Sequence, residues 1–130
     1  MAFLSWQERY CVGNTELDSQ HKNLFELVNR FDDLIQAGKT SELGQILDDT
    51  ISCSVAHFLS EEALIQKMGF PGVSDHKKVH DDLIEQIQAM RTRMKAGGSV
   101  SQKAIVRFLA DWLTNHILRE DMEYKPYLRN

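Results

Sequence analysis

The chain has 130 residues, which suits a single domain with one hydrophobic core, and 42% of them are hydrophobic, as in ordinary globular proteins. The net charge of −4, with no evident basic patch, argues against nucleic-acid binding. No secretory signal peptide and no apolar run of membrane-spanning length are found, and the two cysteines are too few for a disulfide framework. We therefore expect a cytoplasmic protein with no membrane partner.

The first 17 residues show no clear hydrophobic period. Trp6, Tyr10 and Val12 are spread through them and can lie against a folded core. We interpret residues 1–17 as an N-terminal arm that packs on the rest of the protein.

Apolar residues then recur every three or four positions in four stretches, which predicts four α-helices, over residues 21–35, 43–68, 76–94 and 105–117. The breaks contain residues that end or cap helices: Gly38 with Thr40 or Ser41, then the "GFPG" of 69–72 with Ser74 or Asp75, then the "AGGS" of 96–99, and last Pro126. Helices with such short connections pack as antiparallel neighbours. The prediction is an all-α fold, an antiparallel up-down-up-down four-helix bundle, in one domain over residues 1–130 with the bundle at 18–125.

All five histidines fall on the apolar stripes of these helices: His21, His57, His76, His80 and His116. A single histidine on such a stripe is more often a hydrogen-bonded core residue than a ligand. Five imidazoles in one small core would need many hydrogen-bond partners, and the stripes offer few. Antiparallel packing also brings all five to the same end of the bundle. This pattern favours a metal centre.

Spacing identifies candidate carboxylates. His76 and His80 are four residues apart, about 40° around a regular helix, so both can bind one metal. His57 and Glu61 share this spacing, which favours Glu61 over Glu62. In the last helix the same rule favours Glu120, four residues after His116.

The donor set restricts the metal. Five imidazoles with one or two carboxylates exceed the four ligands of a tetrahedral zinc. Copper sites are rich in sulfur, and calcium or magnesium would need more oxygen ligands. Two octahedral first-row ions bridged by carboxylates use the set well, and imidazole-rich ligation favours iron over manganese.

These residues resemble the hemerythrins, specifically the single-domain bacteriohemerythrins. The resemblance spans nearly the whole chain and is carried by these motifs: Trp6, Val12-Gly13, "DSQH" at 18–21, His57-x-x-x-Glu61, "HKKVH" at 76–80, "WLTNHILRED" at 112–121, and Tyr124.

The resemblance implies two iron ions per chain, joined by an oxo or hydroxo bridge. The implied ligands are His76, His80 and His116 on one iron, His21 and His57 on the other, and Glu61 and Asp121 as bridging carboxylates. We assign an apolar oxygen pocket to Phe25, Phe58, Trp112, Leu113 and Ile117. The resemblance places the pocket wall at Trp112 and Leu113, one turn before His116, and plain core packing is the favoured alternative for the other three.

The implied function is reversible binding of dioxygen at the open position of the two-histidine iron, without catalysis. An enzyme with oxidase, peroxide or nitric oxide chemistry, and a protein that only holds iron, are the alternatives. We expect a monomer or a weak homo-oligomer.

The resemblance and the helical period disagree about the last carboxylate. On an ideal helix Asp121 points about 140° away from His116. We follow the resemblance and hypothesise that the helix is under-wound between residues 116 and 121, as in a π-bulge, a distortion often found at functional sites.

Overall fold

Four long helices form a bundle in the computed structural model, which describes residues 3–95 and 101–128. They are α1 (Thr15–Gln36), α2 (Leu43–Lys67), α3 (Val73–Lys95) and α4 (Gln102–His116). α4 continues into a π-helical turn (Ile117–Asp121) and a last α-helical turn (Met122–Tyr124), and short 3-10 turns lie at Glu8–Tyr10, Thr40–Glu42 and Lys125–Tyr127.

The packing order is that of the predicted bundle. α1 packs against α2 and α4, and α2 packs against α3. The described residues contain no strand, which confirms the predicted all-α antiparallel bundle. None of the described helices has both the length and the apolar character that crossing a membrane would require.

The ends of the helices differ in detail from the sequence prediction. α1 begins at Thr15, three residues before the predicted start of the bundle at residue 18, and the Asn14 side chain caps it by accepting a hydrogen bond from the Leu17 backbone N–H at 3.0 Å. α1 and α2 are followed by Gly38 and Gly69, whose φ angles of +73° and +81° suit the residue after a helix.

Two expected caps are wrong. Thr40 and Ser41 do not cap α2, because they form a separate 3-10 turn whose geometry leaves α2 without a side-chain cap. Ser74 and Asp75 lie inside the first turn of α3, which begins at Val73. The expected break at 96–99 lies outside the described residues.

The arm packs against α1 as predicted. Leu4 exchanges two hydrogen bonds with the Asn29 side chain, of 2.6 and 2.8 Å. Trp6 and Tyr10 meet the ring of Phe25 edge to face at 5.2 and 5.1 Å. The arm thereby covers part of α1, and its 3-10 turn also contacts the π-helical turn at Ile117–Asp121.

Two separate groups of buried apolar residues form the core. The larger fills the bundle interior from Phe31 and Leu43 to Phe58 and Ile117. The smaller contains Val12, Leu17, Ile65, Phe70 and Tyr124 and closes one end. The buried histidines lie toward this end, where the His76 ring meets the rings of Phe70 and Tyr124.

Candidate metal centre

All seven predicted ligand residues are buried and meet at one end of the bundle. They are contributed by every helix of the bundle: His21 in α1, His57 and Glu61 in α2, His76 and His80 in α3, His116 at the end of α4, and Asp121 in the π-helical turn. The most exposed of the seven retains only 4% of its accessible surface. The fold therefore brings together residues that are up to 100 positions apart in the sequence, from His21 to Asp121.

The Glu61 carboxylate lies at the centre of the cluster. Its Oε1 is 2.7 Å from Nε2 of His76 and 3.1 Å from Nε2 of His80. Its Oε2 is 3.2 Å from Nε2 of His57 and 3.5 Å from Nε2 of His21. Each oxygen of this carboxylate thus faces a different pair of imidazoles.

Asp121 repeats this division. Its Oδ1 lies 3.0 Å from Nε2 of His116 and 3.2 Å from Nε2 of His76, and its Oδ2 lies 3.2 Å from Nε2 of His21. The two carboxylates together separate a three-histidine set (His76, His80 and His116) from a two-histidine set (His21 and His57).

Several of these atoms are close together without being hydrogen-bonded. Both oxygens of Asp121 and both ring nitrogens of His21 are buried and have no hydrogen-bond partner. Nε2 of His21 lies only 3.2 Å from Oδ2 of Asp121, so direction rather than distance prevents a hydrogen bond there. Buried polar atoms in this condition are costly, and cations between the carboxylates and the ring nitrogens would satisfy them. Two groups of these side chains have donor atoms close enough to hold a metal ion, and the residues fit the implied metals.

The π-helical turn decides between the two acids of the last helix. It adds a residue to the turn after His116, so Asp121 comes onto the inner face and is fully buried. The Glu120 carboxylate stays on the flank, 31% exposed and 3.7 Å from Nδ1 of His116. The hypothesis of a local helix distortion is confirmed, and the helical period alone would have selected the wrong neighbour for the cluster.

The buried carboxylates strongly favour protons on the neighbouring imidazoles. Burial lowers the pKa of a histidine, but Asp121 and Glu61 outweigh burial at His21 and raise its pKa to about 9. The same balance raises the pKa of His76 to about 10. At His57, burial prevails and lowers the pKa.

A pH dependence of the iron-free protein follows. The pKa of His21, at about 9, and that of His76, at about 10, lie above the value of about 6.5 expected in the unfolded chain. Their stabilisation is complete below that unfolded pKa and is lost as the pH rises through the folded pKa. We expect the urea midpoint of iron-free protein to fall between pH 7 and pH 10. A constant or rising midpoint over this range would contradict the prediction.

Three residues around the cluster were given no role by sequence reasoning. Tyr124 donates a hydrogen bond of 2.9 Å from its hydroxyl to Oε2 of Glu61, and Gln20 and Glu62 contact Nδ1 of His57 and His80. Gln20 and Tyr124 belong to the motifs that carry the resemblance, which was the only available signal. Glu62 was set aside because it lies off the apolar stripe.

Replacing Tyr124 by phenylalanine is expected to destabilise the iron-free protein. The hydroxyl is a buried donor to a carboxylate, and such bonds contribute about 1.5–3 kcal/mol. Urea unfolding would measure the loss. The matched control is Tyr127→Phe, since Tyr127 is 39% exposed and should unfold like the wild type. Equal midpoints for the two variants would show that the bond to Glu61 contributes nothing.

The five residues predicted to line an oxygen pocket have two different placements. A narrow cavity of about 20 Å³, enough for one small molecule, is lined by Trp112 and Leu113. Phe25, Phe58 and Ile117 are buried but do not line this cavity. Their assignment to a pocket stays a prediction.

The cavity lies directly beside the cluster. Each helix contributes a lining residue three positions from one of its histidines: Leu24 in α1, Ser54 in α2, Leu83 in α3 and Leu113 in α4. Three residues are about one helical turn. The Trp112 ring also stacks on the His116 ring, with centroids 4.4 Å apart. A small, largely apolar cavity therefore lies about one helical turn from the cluster.

Comparison with known proteins gives consistent results. Residues 12–128 match the family model described as the hemerythrin HHE cation binding domain. The chain is 36% identical to the bacteriohemerythrin of Methylococcus capsulatus, over 98% of both chains. It is also 36% identical to a hemerythrin-like protein of Naegleria gruberi, over 95% of this chain and 92% of the relative. A crystal structure of wild-type hemerythrin, 35% identical, superposes with a TM-score of 0.90 over 98% of both chains.

Proposed function

The chain belongs to the hemerythrin family, and we propose on that basis that it binds dioxygen reversibly at a centre of two iron ions. In this proposal His76, His80 and His116 would hold one iron, and His21 and His57 would hold the other. Glu61 and Asp121 would offer oxygen donors to both irons, and solvent would supply an oxo or hydroxo group.

One observation carries the proposal of two ions. Glu61 directs Oε1 at two histidines of the three-histidine set and Oε2 at both histidines of the two-histidine set. Asp121 divides its oxygens between the same two sets. A carboxylate that binds a single ion would not need its two oxygens to face different histidine sets. Carboxylates that are shared between two ions would need this arrangement.

The residues of the site also suit binding rather than turnover. Two iron ions would supply the two electrons that dioxygen accepts on binding and returns on release. The two-histidine set offers fewer protein donors, which leaves room for a ligand from solution. Of the nine residues that the described structure places around the cavity, none is ionisable, so the cavity offers no acid or base for further chemistry. Its apolar walls favour a small neutral molecule.

Reversibility is the test of this function. The protein would be loaded with ferrous iron without air, exposed to oxygen, and then returned to argon, while its visible spectrum is recorded. We expect a colour change that reverses over repeated cycles. Irreversible oxidation with consumption of a reductant or peroxide would instead indicate an enzyme. Bound iron with no response to oxygen would indicate an iron-holding protein. Nitric oxide would be added to the oxygen-exposed protein at equal gas pressure. If it replaces the reversible oxygen spectrum, nitric oxide is the preferred ligand.

Two further expectations belong to this proposal. We propose a cytoplasmic location, which is supported by two cysteines that form no disulfide, Cys11 and the exposed Cys53. We also propose a monomer or a weak homo-oligomer. Among the described residues, the exposed large hydrophobic side chains are few: Phe3, Val55, Leu59 and Tyr127. Sedimentation measurements over a range of concentrations would test the second proposal.

A further inference from the structure

The two histidine sets differ in what holds their outer nitrogens. In the two-histidine set, Nδ1 of His57 lies 2.5 Å from Oε1 of Gln20. In the three-histidine set, Nδ1 of His80 lies 2.7 Å from Oε2 of Glu62. The first partner is a neutral amide and the second is a carboxylate.

Both contacts orient the imidazole in the same way. An amide or carboxylate oxygen only accepts hydrogen bonds, so each Nδ1 must donate its proton. The amide of Gln20 is itself oriented, because its Nε2 donates to Oγ of Ser60 at 3.4 Å. In the neutral imidazole, Nε2 then carries no proton and faces the Glu61 carboxylate, which is the tautomer a metal needs.

Glu62 is held in place more firmly than a surface acid. It is 9% exposed and lies beside the bridging Glu61 on α2, but on the opposite side of His80. The Phe58 ring stacks on the His80 ring with centroids 3.7 Å apart and planes within 4°. The imidazole of His80 is therefore fixed by a stacked ring on its face and by a carboxylate at its outer edge.

A second carboxylate, that of Glu120, lies near the outer nitrogen of His116 in the same three-histidine set. Oε1 of Glu120 is 3.7 Å from Nδ1 of His116, which is beyond hydrogen-bond distance but close enough to contribute charge. No carboxylate among the described residues contacts Nδ1 of His57 or of His21. The negative charge outside the ligands is thus concentrated on the three-histidine side.

We propose that Glu62 is a positioning residue that stabilises the oxidised state of the metal on the three-histidine side relative to the metal on the two-histidine side. The proposal rests on the proposed iron centre, but not on its binding of oxygen. A carboxylate that accepts the Nδ1–H bond makes the imidazole a stronger donor, and a stronger donor favours the higher charge of ferric iron. Gln20 orients His57 without this effect.

The test is a redox titration of the iron-loaded protein, without oxygen. Glu62→Gln keeps the shape and the hydrogen bond but removes the charge. We expect the equilibrium for reduction of the three-histidine iron to shift about tenfold toward ferrous iron, a rise of about 59 mV in its potential, with two irons still retained. Gln20→Glu adds a carboxylate beside His57 and is expected to lower the potential of the two-histidine iron.

The matched control is Glu85→Gln. Glu85 lines the same surface groove as Glu62 and His80, is exposed, and has no contact with His80 in the structure. Glu85→Gln removes the same charge from the same face of the protein but leaves the contact between Glu62 and His80 unchanged. The reduction potentials of this variant should therefore equal those of the wild type. If Glu62→Gln and Glu85→Gln have the same potentials, the proposal is wrong.

The outcomes separate this proposal from the proposed function. A protein that binds oxygen reversibly but shows no shift in Glu62→Gln would contradict only the role of Glu62. A protein that shows the shift but oxidises irreversibly in oxygen would contradict only reversible binding.

Discussion

Replacing Asp121 by alanine is expected to leave the protein unable to retain a pair of iron ions, whereas replacing its neighbour Glu120 by alanine is not. Both oxygens of Asp121 face ring nitrogens, with His116 and His76 on one side and His21 on the other. The Glu120 carboxylate contacts only the outer nitrogen of His116, at 3.7 Å.

The two substitutions should differ widely in iron affinity. Loss of an outer partner of a metal ligand costs about 10–100-fold in affinity, and loss of a bridging ligand should exceed this. Iron per chain would be measured after anaerobic loading and removal of free metal. We expect about two irons in the Glu120 variant, as in the wild type, and fewer than one in the Asp121 variant. Equal iron in both variants would show that Asp121 is not a ligand.

Removal of iron is expected to lower the thermal midpoint strongly without unfolding the protein. The metal-free site holds two buried carboxylates among five buried imidazoles, and part of these polar atoms lack partners. The larger apolar cluster does not depend on them and should keep the bundle folded. A ligand at about a thousand times its dissociation constant stabilises by about 4 kcal/mol per site.

This corresponds to a fall of more than about 10 °C on removal of iron, given the size of the domain. Calorimetry of iron-loaded and chelator-treated protein would measure it. The Asp121→Ala variant serves as the control, since iron should no longer change its midpoint. A wild-type midpoint that is unaffected by iron would mean that the buried cluster does not bind it in the folded state.

Much of the site could be predicted because burial and helical period point to the same residues. His76 and His80 lie four residues apart on the apolar stripe of their helix, and both are buried in the structure. Antiparallel packing of short-linked helices then determines which ends meet. The arm was also predictable, because Trp6 and Tyr10 are large apolar side chains that need a surface to cover them.

The other features of the site depend on a departure from regular helical geometry and on side-chain packing. A regular hydrophobic period reveals neither. A π-helical turn shifts every later residue by about one position around the helix, so a regular pattern misplaces Asp121 and Glu120. Gln20 and Glu62 lie on the flanks of their helices, and only the packing of α1 on α2 and of α2 on α3 brings them to the imidazoles. The cavity likewise depends on how the side chains fill the interior, and apolar character alone does not distinguish a lining residue from a packed one.

We expect one chain to hold one oxygen-binding centre made of two irons. The most direct measurement combines iron analysis with oxygen uptake on the same anaerobically loaded sample. We predict two irons per chain and one dioxygen taken up for each pair, with the same quantity of dioxygen released under argon. Oxygen uptake that is not recovered on removal of the gas, or a single iron per chain, would contradict the account.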